Sequence, residues 1–219
     1  MVLSQKQLIR QQFEENKLSW KKSFLDGFSQ DENGNAVPWM TYPAIEFLTK
    51  NLTKNHEVFE FGCGASTLFF AKIVKKVTGL ETNKKWLGIL DVILSEAKDL
   101  KKQVSNSPHE ILRFSQDDNI KIEINLMEDG LTNNSYENFA KNCGQKFDLI
   151  IIDSLKRFDC AKNVIEALKP DGSIILDDSE RPNYKKIFDF FSNQGFKKQD
   201  FFGIAPAQLR IKNTTIFTR

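Results

Sequence analysis

The spacing of apolar residues along the chain switches repeatedly between two rhythms, short β-prone runs and stretches in which every third or fourth position is apolar. From Ser4 to about Phe28, residues Ile9, Phe13, Trp20, Phe24 and Phe28 recur at intervals of four or seven in polar sequence, predicting one or two amphipathic helices. Their apolar face would pack on the rest of the chain or, alternatively, serve as a lid or a partner-binding surface. After a turn-rich break at 30–35, Thr41 is placed to cap a helix that has Pro43 in its first turn. The runs ending at Glu60 and Phe61 and at Glu81 read as strands. Trp86, Leu90, Ile93, Leu94 and Ala97 fall on one face of a helix starting near Asn83.

Residues 101–119 are polar and include Asn106-Ser107-Pro108, which predicts a loop or a broken helix. Residues 120–126 alternate as a strand and lead to Glu128 and Asp129, while 147–152 form a continuous apolar run closing on Asp153, the pattern of a strand buried on both faces. Ala161, Val164, Ile165 and Leu168 then fit a helix. Lys169-Pro170-Asp171-Gly172 reads as a turn into a strand ending at Asp177 and Asp178, and Pro182 opens another helix. The tail from Phe196 reads as two strands around Gly203 and Pro206. Alternating strands and helices predict an α/β fold. Its form would be a doubly wound, mostly parallel seven-stranded sheet with helices on both faces, a C-terminal antiparallel hairpin and an N-terminal helical extension.

Chemistry concentrates where strands end. Glu60-Phe61-Gly62-Cys63-Gly64-Ala65-Ser66-Thr67 places an acid and two spaced glycines between a strand and a helix. The glycines allow a sharp turn and close approach of backbone N–H groups to a ligand, although a tight turn with no ligand accounts for two glycines equally well. The acid narrows the ligand, because a carboxylate would repel a pyrophosphate but attract a cation. Glu81 lies 21 positions beyond Glu60, where a βαβ unit places a carboxylate for ribose hydroxyls. Glu60, Glu81, Asp153 and the Asp177–Asp178 pair all fall at expected strand ends, the edge at which open parallel sheets bind ligands.

On these residues the chain, over roughly 38–219, resembles the class I S-adenosylmethionine-dependent methyltransferases, whose first motif is acid-x-Gly-x-Gly-x-Gly; Ser66 departs from the third glycine. The resemblance implies a Rossmann-like domain at 38–219 after the extension at 1–37. It further implies that Gly62 and Gly64 pass close to the methionine part of the cofactor, that Glu60 organises its ammonium and that Glu81 holds the ribose. Thr41 in the segment before the motif, Ser66 and Thr67 in the loop, and Glu128 and Asp129 near the adenine are further cofactor candidates. Asp153 is the first candidate for contacting the acceptor or acting as base, and Asp178 the second. Asp153, Asp177 and Asp178 could also hold a divalent cation such as magnesium, since catechol-type O-methyltransferases carry a comparable arrangement. The resemblance thus points to O-methylation of a small molecule or glycan precursor. Alternatives are an aminopropyltransferase or nicotinamide-dependent oxidoreductase on a similar fold, or a cofactor-binding module without catalysis.

Composition adds limits. The 219 residues suit one substantial core, and a formal charge of +2 with scattered basic residues gives no reason to expect nucleic acid or an anionic membrane as partner. No apolar run approaches the roughly 20 residues of a membrane span, so a cytoplasmic location is the expectation, and with no basic face visible a small-molecule acceptor is expected over nucleic acid. Cys63, Cys143 and Cys160 are too few and too widely spaced for a disulfide framework or a metal knuckle, and Cys63 is expected to pack rather than react.

Overall fold

The computed structural model describes residues 3–95, 101–106, 110–116, 119–128, 135–153 and 155–219. Two helices, α1 (Gln5–Glu15) and α2 (Lys17–Asp26), precede α3 (Tyr42–Asn51). Strand and helix then alternate through β1 (Glu57–Phe61), α4 (Ala65–Ile73), β2 (Lys76–Glu81) and α5 (Lys84–Ser95). An edge meander follows, of β3 (Lys101–Asn106), β4 (Glu110–Gln116) and β5 (Asn119–Leu126). The second half runs α6 (Ser135–Asn142), β6 (Phe147–Ile152), α7 (Arg157–Asn163), β7 (Leu168–Leu176), α8 (Lys185–Asn193), β8 (Lys197–Ala205) and β9 (Gln208–Thr218).

The nine strands among the described residues join one sheet in the order β3-β4-β5-β2-β1-β6-β7-β9-β8. Neighbours from β5 to β7 are parallel, and β9 and β8 close the far edge antiparallel. The chain winds outward from β1 through β2 and then returns to β6, so the carboxyl ends of β1 and β6 face the crevice where the winding reverses.

Two strands beyond the expected seven come from the polar stretch read as a loop. β4 pairs with β5 and places Leu112 and Phe114 inward, while β3 is an edge strand that carries Lys101 and Lys102. An edge strand solvated on one side needs few apolar residues, and lysines there discourage pairing with other chains. The weak pattern at 101–106 was therefore the pattern of an edge. A second difference lies near Leu168, expected as the last contact of a helix. Instead α7 stops at Asn163, and 168–172 already belong to β7, with a shift of register against β6.

The central strands are buried on both faces. Phe59, Phe61, Ile150, Ile152, Ile174 and Leu176 pack under α6, α7 and α8, whereas Val58, Leu149, Ile151 and Ile175 point to the side of α3 and α4. At the β8 edge, α1 covers the sheet: Gln12 accepts a hydrogen bond from the Ile204 amide at 2.8 Å and donates to the Phe202 carbonyl at 3.4 Å, as a neighbouring strand would. Ile9, Phe13 and Trp20 pack on the same core, as their spacing suggested. Phe24 does not; it stacks on Trp20 at 5.2 Å and is 61% exposed.

Gly79 of β2 lies opposite Glu60 in the ladder, and a Cβ there would stand 2.2 Å from Cys63 Sγ. The Cys63 side chain thus fills the space that Gly79 leaves, which is the packing role expected of it. Gly79→Ala should cost about 1–3 kcal/mol by overpacking. Cys63→Ala in the same chain should recover most of that loss, since the next Cys63 atom lies at 3.8 Å; urea unfolding of the two single variants and the double variant measures this.

Candidate functional site

The loop after β1 is shaped by its glycines and by two hydroxyls. Gly62 takes a φ of 87°, a left-handed conformation that a side chain would strain. The Gly64 amide donates to Thr67 Oγ1 at 3.0 Å, which satisfies one of the N–H groups left open at the start of α4. Ser66, in the place of the third glycine, donates its hydroxyl to Glu60 Oε2 at 2.5 Å. Glu60 is buried, and among the described residues none comes within hydrogen-bond distance of its Oε1. Burial pushes its pKa up to about 8, with the charge of Asp153 adding to the shift and the Ser66 and Thr67 hydroxyls opposing it. Burial likewise pushes the Cys63 thiol well above its ordinary value, so it is no nucleophile.

Glu81, at the end of β2, is held differently. Its Oε1 accepts from the amides of Thr82 at 2.7 Å and Asn83 at 2.8 Å, and its Oε2 accepts from the Cys63 amide at 3.1 Å. One acceptor direction on Oε2 is left for a ligand. These bonds tie the glycine loop to the second strand. Asn83 then caps α5 by accepting from the amides of Lys85 and Trp86, and Trp86 Nε1 donates to the Cys63 carbonyl at 2.6 Å. Trp86 therefore lies beside Gly64, 3.7 Å from where a Cβ would be. Periodicity had marked Trp86 only as a helix-face residue; its position in the first turn after a strand-end acid was the available signal.

A cleft of about 630 Å³ opens at this edge, lined by Glu81, Tyr136, Asp153, Arg157, Arg181 and Tyr184 among others. Of the residues expected to take part in catalysis, Asp153 reaches it. Arg157 donates to Asp153 Oδ1 at 2.5 Å and to the Asp177 carbonyl, and its guanidinium lies 5.2 Å from the Tyr184 ring centre. This arginine, four residues after the acid at the start of α7, was not singled out in the sequence; the i, i+4 spacing to Asp153 was its only local signal.

Asp178 and Asp177 are committed elsewhere. Asp178 is engaged by Lys212, Arg210 and Arg181, and is not on the cleft wall. Burial works to raise its pKa, but Lys212 and the nearby arginines hold it below the ordinary value. Asp177 receives Lys212 Nζ at 2.5 Å and Thr214 Oγ1 at 2.6 Å. Burial disfavours charge on Lys212 as well, yet Asp177 and Asp178 outweigh it and raise its pKa. With each carboxylate of the suggested metal set already bound to a cation of the chain, these residues do not fit a divalent ion.

The bonds of Thr41 run to the C-terminal hairpin. Its hydroxyl donates to the Phe201 carbonyl at 2.9 Å and its amide to Thr214 Oγ1 at 3.2 Å, so it ties α3 to β8 and β9 instead of capping α3 with its side chain. Glu128 is exposed in the turn after β5, and Asp129 lies outside the described residues. No described helix is long and apolar enough to cross a membrane.

No protein-family model and no curated protein matches the chain. Among solved structures it is similar to an rRNA methylase from Streptococcus thermophilus, at 14% identity over 81% of this chain and 96% of that one, with a TM-score of 0.53. It is also similar to the precorrin 8w decarboxylase of Methanobacterium thermoautotrophicum, at 16% identity over 89% and 97%, with a TM-score of 0.55. A methyltransferase from Geobacter sulfurreducens matches at 12% identity over 100% and 90%, again at 0.55. The chain shares its fold with these solved structures, two of which are described as methylases or methyltransferases.

Because the folded-state pKa of Glu60 is raised from 4.5 to about 8, the folded chain keeps a proton that the unfolded chain releases. Stability should therefore fall as pH rises through that window, and Glu60→Gln should remove this part of the dependence. Urea titrations of both proteins at several pH values within it provide the comparison.

Proposed function

We propose that this chain is an S-adenosylmethionine-dependent methyltransferase that methylates a hydroxyl of a small-molecule acceptor. The observation that carries the reading is Glu60: a buried carboxyl, one oxygen of which has no hydrogen-bond partner among the described residues, at the end of a central strand and next to a glycine turn. Such a group suits a ligand ammonium, which would supply both the missing hydrogen bond and the charge that keeps the carboxylate ionised. A pyrophosphate supplies no such counter-charge and could meet the carboxyl only in its protonated form.

Glu81 offers its remaining lone pair to ribose hydroxyls, and Trp86 walls the glycine turn. When bound, the cofactor supplies a methyl group on a sulfonium, an electrophile that needs an aligned acceptor oxygen. Asp153 stands on the cleft wall, with its side chain 38% exposed, and takes the acceptor's proton. Arg157 orients Asp153 through the ion pair and, through the Asp177 carbonyl, ties it to the end of β7. A cleft of about 630 Å³ is of the size that small ligands occupy.

Calorimetry with S-adenosylhomocysteine tests the reading. Binding is expected, and Glu60→Ala should weaken it by about 1.5–3 kcal/mol through loss of a charged hydrogen-bond partner. Because a cationic ligand displaces the Glu60 proton, wild-type affinity should rise with pH up to about 8, and Glu60→Gln should flatten that rise. Tight binding of NAD(P)H with no response to S-adenosylhomocysteine would overturn the proposal. Once an acceptor is found in a screened library, Asp153→Asn should lower kcat on the order of 10²–10⁴-fold without weakening S-adenosylhomocysteine binding, since loss of the Asp153 charge eases ionisation of Glu60.

A further inference from the structure

Lys212 projects from the middle of β9 and is 2% exposed. An ammonium has three hydrogens and accepts nothing. Here the three have three oxygens: Asp177 Oδ2 at 2.5 Å, Asp178 Oδ1 at 2.9 Å and the Trp39 carbonyl at 3.0 Å. Thr214, two residues on and so on the same face of β9, donates to the other oxygen of Asp177. Around this point the charges balance. Asp177, Asp178 and Glu180 face Lys212, Arg181 and Arg210, with Arg210 reaching Glu180 at 2.8 Å and Asp178 at 3.3 Å.

We propose that the Asp177–Asp178 pair is a cation site filled permanently by the chain's own Lys212, so that methyl transfer by this protein needs no divalent ion. The second half rests on the methyltransferase reading; the first does not. The distances are those of N–H···O bonds, whereas magnesium demands about six oxygens at roughly 2.0–2.1 Å. Three oxygens converge here and Asp153 is bound to Arg157. A doubly charged ion added beside Lys212 would leave buried positive charge uncompensated. Replacing the metal by a tethered ammonium also links the segment before α3 to the strand end, because Trp39 supplies the third acceptor. Lys212 is in this sense a positioning residue: it holds Trp39 and both aspartates without touching the cleft.

Two measurements that do not depend on activity test this. The first titrates the wild-type protein with Mn²⁺ and follows the free ion by electron paramagnetic resonance. No stoichiometric site is expected, and one Mn²⁺ per chain that disappears in Asp177→Asn or Asp178→Asn overturns the proposal. The second uses Lys212→Ala, which leaves the buried Asp177 without its cation and takes one of three cations from Asp178, and should lower Tm by roughly 10 °C or more. Propylammonium, the fragment removed, should restore a substantial part of that loss, and propanol should not. Equal recovery with propanol, or none with propylammonium, would show that packing and not charge is what Lys212 supplies. If Lys212→Ala does not fold, the Mn²⁺ titration decides alone. With an acceptor identified, wild-type turnover should be unchanged by EDTA. If the methyltransferase reading fails, no acceptor will be found and the ion-binding results still stand.

Discussion

A carboxylate taken out of water must find hydrogen-bond donors or a cation, or else give up its charge, and the carboxyl edge of this sheet meets that requirement in three ways. Glu81 is held by three backbone amides. Asp177 and Asp178 are held by Lys212 and two arginines. Glu60 has the Ser66 hydroxyl on one oxygen and no hydrogen bond within 3.5 Å from a described residue on the other, so burial outweighs the Ser66 and Thr67 hydroxyls and raises its pKa to about 8.

That difference separates the acids by role. A carboxylate fully satisfied within the chain gives nothing more to a ligand, and substituting it mostly breaks structure. One left short of a partner keeps the capacity to take a counter-charge, and on this Glu60 is proposed as the ammonium site. The parallel strands bring all these acids to a single edge, and the donors around each decide which remains available. Lys212 and Arg157 are as much part of that division as the acids they bind. One removes Asp177 and Asp178 from ligand chemistry, and the other keeps Asp153 at the cleft wall.

Much of this could be read along the chain. The seven strong strands, the helices between them and the acids at their ends follow from periodicity and from the glycine turn. Three features could not be read in this way. β3 and the register of β4 depend on backbone pairing with β5, which polar residues such as Lys101 and Gln103 neither require nor oppose. The hydroxyl of Thr41 had a local helix to cap and instead found the Phe201 carbonyl, 160 residues away. Ser66 was expected as a cofactor candidate in the place of the third glycine, and its bond to Glu60, which depends on how tightly the loop folds back on the strand, was not expected.

By itself the sequence determined the alternation of elements and the placing of an acid at the end of each central strand, because both are written in local spacing of two or of three to four residues. Only the tertiary structure decided which of those acids is satisfied and by what. Lys212 lies 34 and 35 positions from Asp178 and Asp177, and no local pattern marks a lysine in a strand as the partner of an acid in another. The antiparallel pairing of β9 with β7 brings them together, and burial then makes the pairing obligatory.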